Sequence, residues 1–302
     1  MEKKVAPFLV LLAAILWGTT GTAQSFAPET AHPVVIGAVR LALGGLPLLL
    51  IVLLLGKLRI KNWPIKETVL ASLCMACYQP FFFSAVTLTG VAIGTVIAIG
   101  SAPILSGLIE WLFFKKSPAR VWWYSTILSI VGCCMLFINK EAVVVDPYGI
   151  AMALVAGLSF ASYTHFSRKL VENQSSLSIV AVVFSLSAIF LSPLLFLYDL
   201  SWITEGNGMA VSLHLGIIAT GLAYFLFARG MVNVPSSTAV TLALGEPLTA
   251  ALLGVFVLGE SLALTSWLGI SFLLVGIGIL ILYSKESGVE NRKQRFSSAL
   301  SK

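Results

Sequence analysis

The chain has 302 residues, 58% of them hydrophobic and only 11% charged, with a mean hydropathy of +0.97 and a formal net charge of +6. A soluble globule carries about 25% charged residues, so an ordinary water-soluble domain is excluded. The basic excess would suit nucleic acid, but the charges sit in short connections between long apolar runs, which points to a lipid bilayer and to no nucleic-acid partner.

A run of roughly 18 apolar residues crosses ~30 Å of hydrocarbon as a helix, and such runs fill the sequence. The alternating stretches of ~10 residues that mark a membrane barrel do not occur. Proline, glycine and charge clusters delimit ten predicted spans. The first, 7–26, follows Lys3 and Lys4 and could pass for a secretory signal ending near Gly21-x-Ala23. It is long for that role, and the ten-span count requires it as a membrane helix. Along it, Trp17, Thr20 and Gln24 fall at i, i+3 and i+7, on one side. The second span, 33–56, carries Arg40. The third, 67–87, carries Tyr78 and Gln79 beside Pro80, and a very tight turn, Thr87 to Gly90, leads to the fourth, 91–114, with Ser101, Pro103 and Glu110. The fifth is 120–138. The sixth, 148–168, presents Ser159, Ser162, Tyr163 and Phe166 together and has His165 near its end. Spans seven and eight are 176–198 and 211–231, the latter with Tyr224. The ninth, 236–258, bears the stripe Thr238, Thr241, Gly245 and Thr249 along with Glu246-Pro247, and the tenth is 265–283. The tail after Ser284 is polar and is expected to be unstructured. Cys74, Cys77, Cys133 and Cys134 lie inside apolar runs and read as helix-packing residues, with no metal site or disulfide implied.

Lysine and arginine in the loops set orientation. With a cytoplasmic N-terminus, the inner segments hold Lys3 and Lys4; Lys57, Arg59, Lys61 and Lys66; Lys115, Lys116 and Arg120; Arg168 and Lys169; Arg229; and Lys285, Arg292, Lys293, Arg295 and Lys302. Those are seventeen of the 19 basic residues, with only Lys140 in an outer loop and Arg40 within a span. Both termini are therefore expected in the cytoplasm, in the cytoplasmic membrane.

The chain also repeats itself at an offset of about 144 residues. Pro103 then meets Pro247, Ser117 meets Ser261, Ala119 meets Ala263, Trp123 meets Trp267, and Val131-Gly132 meets Val275-Gly276. Ala13 falls opposite Ala156 at nearly the same offset. The predicted fold is all-α, integral to the membrane, with ten transmembrane helices as an inverted 5+5 repeat: 1–140, 147–284 and a cytoplasmic tail 285–302. Five is odd, so the second half enters the membrane from the other side, as in many secondary transporters.

The stretch Ala223-Tyr224-Phe225, Pro235-Ser236-Ser237-Thr238-Ala239, Gly245-Glu246-Pro247 and Gly259-Glu260, followed by a last helix with Gly269, Gly276 and Gly278, resembles the EamA-type domain of the drug/metabolite transporter superfamily. The first half matches more loosely, through Trp17-Gly18, Arg40-Leu41-Ala42 and Ser101-Ala102-Pro103. It departs where Lys116 replaces the glutamate seen at Glu260 and Ala102 replaces Glu246. The resemblance covers nearly the whole chain as two tandem copies. It implies a ten-helix exporter or importer of small organic solutes without fixing which, since members handle amino acids, sugars, nucleotide derivatives and amphiphilic drugs.

Ionisable groups within hydrocarbon are costly and mark function by default. Glu246 has two readings: substrate contact or proton coupling, or a polar group that helps fill the hydrogen-bond gap opened by Pro247. Arg40 binds an anionic group, pairs with helix carbonyls or a carboxylate, or snorkels outward. Glu110 can reach Lys115 or the interface, and His165 is a candidate proton carrier. Polar and aromatic stripes in lipid face other helices or a cavity, because lipid cannot hydrogen-bond them. The expected site is a cavity between the halves, lined by Trp17, Tyr78, Tyr163 and Tyr224, with Thr20, Gln24, Gln79 and Ser101 orienting the solute. Glu246, Pro247, Pro103 and Arg40 are the candidates for coupling or gating. Such walls suit an amino acid or related metabolite; a polyanion would want several convergent cations. No catalytic residue, metal or cofactor is expected, a proton is the candidate coupling ion, and the protein is a monomer or dimer. A membrane-embedded enzyme would need clustered acids or a His pair at ligand spacing, and a non-transporting subunit has no use for an inverted repeat.

Overall fold

A computed structural model describes residues 5–58, 61, 63–115, 117–137, 146–259 and 261–300. Lys3, Lys4, Arg59, Lys116, Lys140, Glu260 and Lys302, used above, lie outside the described residues. The protein is an all-helical, multi-pass membrane protein. In chain order the helices are α1 (Ala6–Gln24), α2 (Pro33–Leu54), α3 (Ile65–Val86), α4 (Gly94–Phe114), α5 (Arg120–Phe137), α6 (Pro147–Asn173), α7 (Ser176–Leu195), α8 (Gly208–Met231), α9 (Ser236–Phe256) and α10, which begins at Leu264. Among the described residues nine are long and apolar enough to cross a bilayer, and the tenth, α5, is shorter, with an apolar stretch Arg120–Leu136.

Local chemistry sets the helix ends. Pro33 and Pro147 occupy first-turn positions where a missing N–H costs nothing. Asp146 caps α6 by accepting from the Tyr148 N–H at 2.8 Å, and Ser175 caps α7 by accepting from the Ser178 N–H at 3.1 Å. Lys115 ends α4 in the left-handed region, φ 52°.

Helical geometry runs on from Ile65 to Phe114, yet a straight helix of that length would reach about 75 Å, over twice the hydrocarbon thickness. It is not straight. A Cβ built on Gly94 would lie 3.0 Å from the Cα of Val86, whereas residues eight apart along a helix are separated by ~12 Å. The chain therefore reverses between α3 and α4, within the tight turn expected there. At the other end of the chain α10 covers Leu264–Leu300.

The packing pattern maps onto itself when each helix is exchanged for the one five further on. α2 packs on α7 and α5 on α10, each against its own repeat mate. α1 packs against α8 and α9, and α6 correspondingly packs against α3 and α4. α4 and α6 run side by side in the same direction, with Gly149 against Leu88 and Thr89, Gly157 against Ser101, and His165 against Ser106. Their mates do likewise, with Gly245 against Leu11 and Gly18 against Thr249. This is the contact map of two five-helix units related by a two-fold axis in the membrane plane. Lipid supplies no hydrophobic drive between helices, so association depends on close backbone approach and interhelical hydrogen bonds. At α5–α10 the approach is reciprocal: a Cβ on Gly132 would sit 2.6 Å from the Gly269 carbonyl oxygen, and one on Gly269 2.6 Å from that of Gly132. Hydroxyls add ties between helices, Ser72 Oγ donating to the Val183 carbonyl at 3.1 Å and Ser187 Oγ to that of Ser72 at 3.0 Å.

Candidate functional site

Near mid-depth, where α1, α2, α3, α4, α6, α8 and α9 converge, Trp17, Arg40, Tyr78, Ala98, Ile99, Ala102, Phe160, Tyr224, Val240, Ala243 and Glu246 line a cavity of about 30 Å³. That is room for about one water molecule. Its aromatic wall is continuous. Trp17 lies 4.7 Å from Tyr224 and meets Phe160 edge-on at 5.8 Å. Phe160 in turn is 5.9 Å from Tyr78. Tyr163 and Phe184 stand behind, 5.7 Å and 4.5 Å from Tyr224. Such tilted and edge-to-face arrangements are the favoured ones for rings. The indole Nε1–H of Trp17 is buried with no hydrogen-bond acceptor among the described residues, a group that a bound solute could satisfy.

Glu246 owes its place to a break in α9. The helix interrupts at Ala243–Leu244 and resumes at Gly245. Pro247 has no N–H to offer the Ala243 carbonyl. The Glu246 backbone N–H takes that carbonyl instead, at 2.9 Å, and Thr249 Oγ1 donates to the Gly245 carbonyl at 2.9 Å. The gap is thus closed by backbone and Thr249, which leaves the Glu246 carboxylate free to line the cavity. Arg40 is buried and points its donors at α8: Nε to Thr220 Oγ1 at 2.9 Å and Nη2 to the Ala219 carbonyl at 3.2 Å. Among the described lining residues these are the one cation and the one acid.

The other candidates fall elsewhere. Gln79 is buried against α2, its Oε1 3.0 Å from where a Gly37 Cβ would stand. Ser101 packs on α6, its Oγ 2.4 Å from a Cβ built on Gly157, and donates to its own helix at Ala98. Tyr163 is fully buried in the second layer. Gln24 closes α1 at its far end, with a buried Nε2 that has no partner among the described residues. Thr20 does not line the cavity, and its neighbour Thr19 contacts His214 on α8 at 2.9 Å. Pro103 and Pro247 are buried in α4 and α9. Sequence reasoning missed Phe160, Ile99 and Val240, which as apolar residues in apolar helices carry no flag; only Phe160, three positions before Tyr163, had a helical-face signal.

A second, larger cavity of about 430 Å³ opens at the end of the bundle that bears Lys115, Arg120, Arg168 and Lys169. Glu110, Phe114, Trp122, His165, Arg168, Lys169, Glu172, Ser237 and Tyr283 line it. Glu110 accepts a hydrogen bond from Ser237 Oγ, and Arg168 donates to the carbonyls of Met231 and Val234 in the α8–α9 connection. His165 stacks on Phe114 at 5.5 Å, with Nε2 3.0 Å from Ser106 Oγ.

A duplicated five-helix unit with its repeat contacts so preserved is a family trait, and the EamA-like transporter family matches residues 4–138 and again 147–282. The chain belongs to the EamA-like transporter family. Over 93% of its length it is 51% identical to the uncharacterized transporter YwfM of Bacillus subtilis, covering 95% of that protein. The threonine/homoserine exporter RhtA of Escherichia coli is 26% identical over 95% of this chain and 93% of its own length. A solved crystal structure at 18% identity superposes with a TM-score of 0.80, covering 93% of this chain and 98% of the other, and shares the fold. The protein is a transporter of this family.

Proposed function

We propose that the protein moves a small amphiphilic solute, an amino acid or related metabolite, across the cytoplasmic membrane by alternating access, in the direction of export and with both termini in the cytoplasm. The observation that carries this reading is the pairing of Glu246 and Arg40 in one aromatic-walled cavity between the repeats. An ammonium suits Glu246 and the ring faces, a carboxylate suits Arg40 and the free Trp17 N–H, and an apolar side chain suits Ile99, Ala102 and Val240. A single arginine is a poor match for a polyanion. The likeness to RhtA, whose name specifies threonine and homoserine, supports the amino-acid class and the direction. The basic end of the bundle then faces the cytoplasm, and the 430 Å³ cavity there is the inner mouth. A proton is the coupling ion, with Glu246 as its carrier.

Purified protein in liposomes loaded with radiolabelled threonine or homoserine should release the label faster than empty-vector vesicles, with the solute chemically unchanged. Recovery of a modified product without flux would replace the transporter reading by an enzymatic one. Within the cavity, Tyr78→Ala removes a ring that contacts Phe160 and is expected to lower transport about 10-fold without reducing membrane yield. Uptake kinetics that match the parent would remove Tyr78 from the solute path.

A further inference from the structure

The middle of α8 is not an α-helix. From His214 to Leu222 the backbone takes π geometry, with bonds to the fifth residue back, so this stretch holds extra residue length per turn. π geometry is rare, and where it interrupts an α-helix it is frequently at a functional site. Here the stretch is held at both ends by other helices. At its start His214 meets Thr19 of α1. Toward its end Thr220 Oγ1 donates to the Leu215 carbonyl, five residues back, at 2.7 Å, and the same oxygen accepts from Arg40 Nε. Arg40 Nη2 takes the Ala219 carbonyl. Between these points α2 presses on the stretch, a Gly44 Cβ falling 2.6 Å from Thr220 Cγ2 and 2.9 Å from the Gly216 carbonyl oxygen. Four residues further along the same helix Tyr224 meets Trp17 across the cavity.

A guanidinium that spends two donors on one helical stretch, while also lining the cavity, is placed to read the cavity and act on the helix. We propose that Arg40 is a positioning residue for transport: it holds α8 in its wide-turned register, and a solute carboxylate that draws the guanidinium into the cavity releases that register and turns Tyr224 away from Trp17. This rests on the reading that the cavity takes an amphiphilic solute. The physical scale is adequate. One residue of register shift rotates the helix beyond it by ~100° and moves it ~1.5 Å along its axis. Arg40 needs no ion partner in the empty cavity, because Thr220 and Ala219 supply acceptors; a carboxylate offers it a charge-assisted and stronger pair.

The test uses the full chain in lipid nanodiscs with its four cysteines replaced and spin labels at Leu50 on α2 and Arg229 on α8, both exposed positions. A label carried ~5–6 Å from the helix axis moves by ~8 Å on such a rotation. Without solute, Arg40→Gln and Thr220→Val should each shift the Leu50–Arg229 distance by several ångströms, and Arg40→Lys, which keeps the charge and loses the fork, should shift it too. Added threonine should move the parent distance toward the Arg40→Gln value and leave Arg40→Gln itself unmoved. Distances unchanged in both Arg40→Gln and Thr220→Val overturn the proposal, even where the melting temperature falls, since that is the signature of a merely structural arginine. Threonine that binds by calorimetry yet leaves the parent distance unmoved also overturns it. If neither threonine nor homoserine binds, the amino-acid reading of the site fails, and the variant distances alone decide whether Arg40 holds the register. Thr220→Val keeps the test open if the Arg40 variants fail to insert.

Discussion

Glu246→Gln should raise the solute concentration for half-maximal transport by roughly 10- to 100-fold while the protein inserts and purifies in normal amounts. Hydrogen bonds to a charged group are worth ~1.5–3 kcal/mol, which is that range of affinity. The expectation that folding survives comes from the break in α9. The Ala243 and Gly245 carbonyls, one orphaned by Pro247, are already satisfied by the Glu246 N–H and by Thr249, so the carboxylate is not needed to hold the helix. Glutamine is also nearly the same size; it removes the charge and replaces one accepting oxygen by an NH2 donor. If Glu246 carries the coupling proton, the variant should lose accumulation driven by a proton gradient and keep passive exchange. Full gradient-driven accumulation with parental kinetics would return Glu246 to a structural role.

A large stability effect is expected at Gly45. A methyl there would lie 2.4 Å from the Ser185 backbone N and 2.7 Å from the Phe184 carbonyl carbon. Both are backbone atoms of α7, which cannot swing aside as a flexible side chain would. Gly45→Ala must therefore separate α2 from α7, and overpacking of this kind costs about 1–3 kcal/mol. The loss should appear as a lower melting temperature and a smaller monodisperse fraction after detergent extraction. Gly278 on α10 supplies the control. Nothing lies within 4 Å of its added Cβ, so Gly278→Ala should be neutral or stabilising by ~0.5–1 kcal/mol. Equal melting temperatures for the two variants would contradict the packing described for the α2–α7 pair.

The ten crossings were legible because apolar length is a property of the chain alone. The repeat was legible too, since proline, tryptophan and glycine survive at matching positions. The lining of the central cavity was legible only where a residue was chemically out of place. Trp17, Arg40, Tyr78, Tyr224 and Glu246 stand out in apolar spans for polarity or size, and all five line the cavity. The same criterion mislocated Gln79 and Ser101. Helical periodicity gives the face on which a residue sits but not the neighbour opposite, and the glycines that receive them, Gly37 and Gly157, lie on other helices. Ile99 and Val240 could not be singled out, because a lining residue that supplies only shape has the composition of its surroundings. The π stretch of α8 had no sequence mark either. The residues that meet it, Thr19, Arg40 and Gly44, are all more than 150 residues away in sequence.

The small volume of the central cavity has a kinetic meaning. On the proposed reading, a chamber of about 30 Å³ has to widen before an amino acid fits, and the form competent to bind would then be a minor member of the resting population. The measured dissociation constant is then the intrinsic one divided by the fraction of molecules already widened. On that reading, trimming an apolar wall residue such as Val240 should enlarge that fraction and strengthen apparent binding without adding a contact. The same change weakens the driving force for the cavity to close again after release, and turnover slows. Tight binding and fast cycling would then pull on the same few side chains in opposite directions, and a cavity nearly shut at rest would favour cycling.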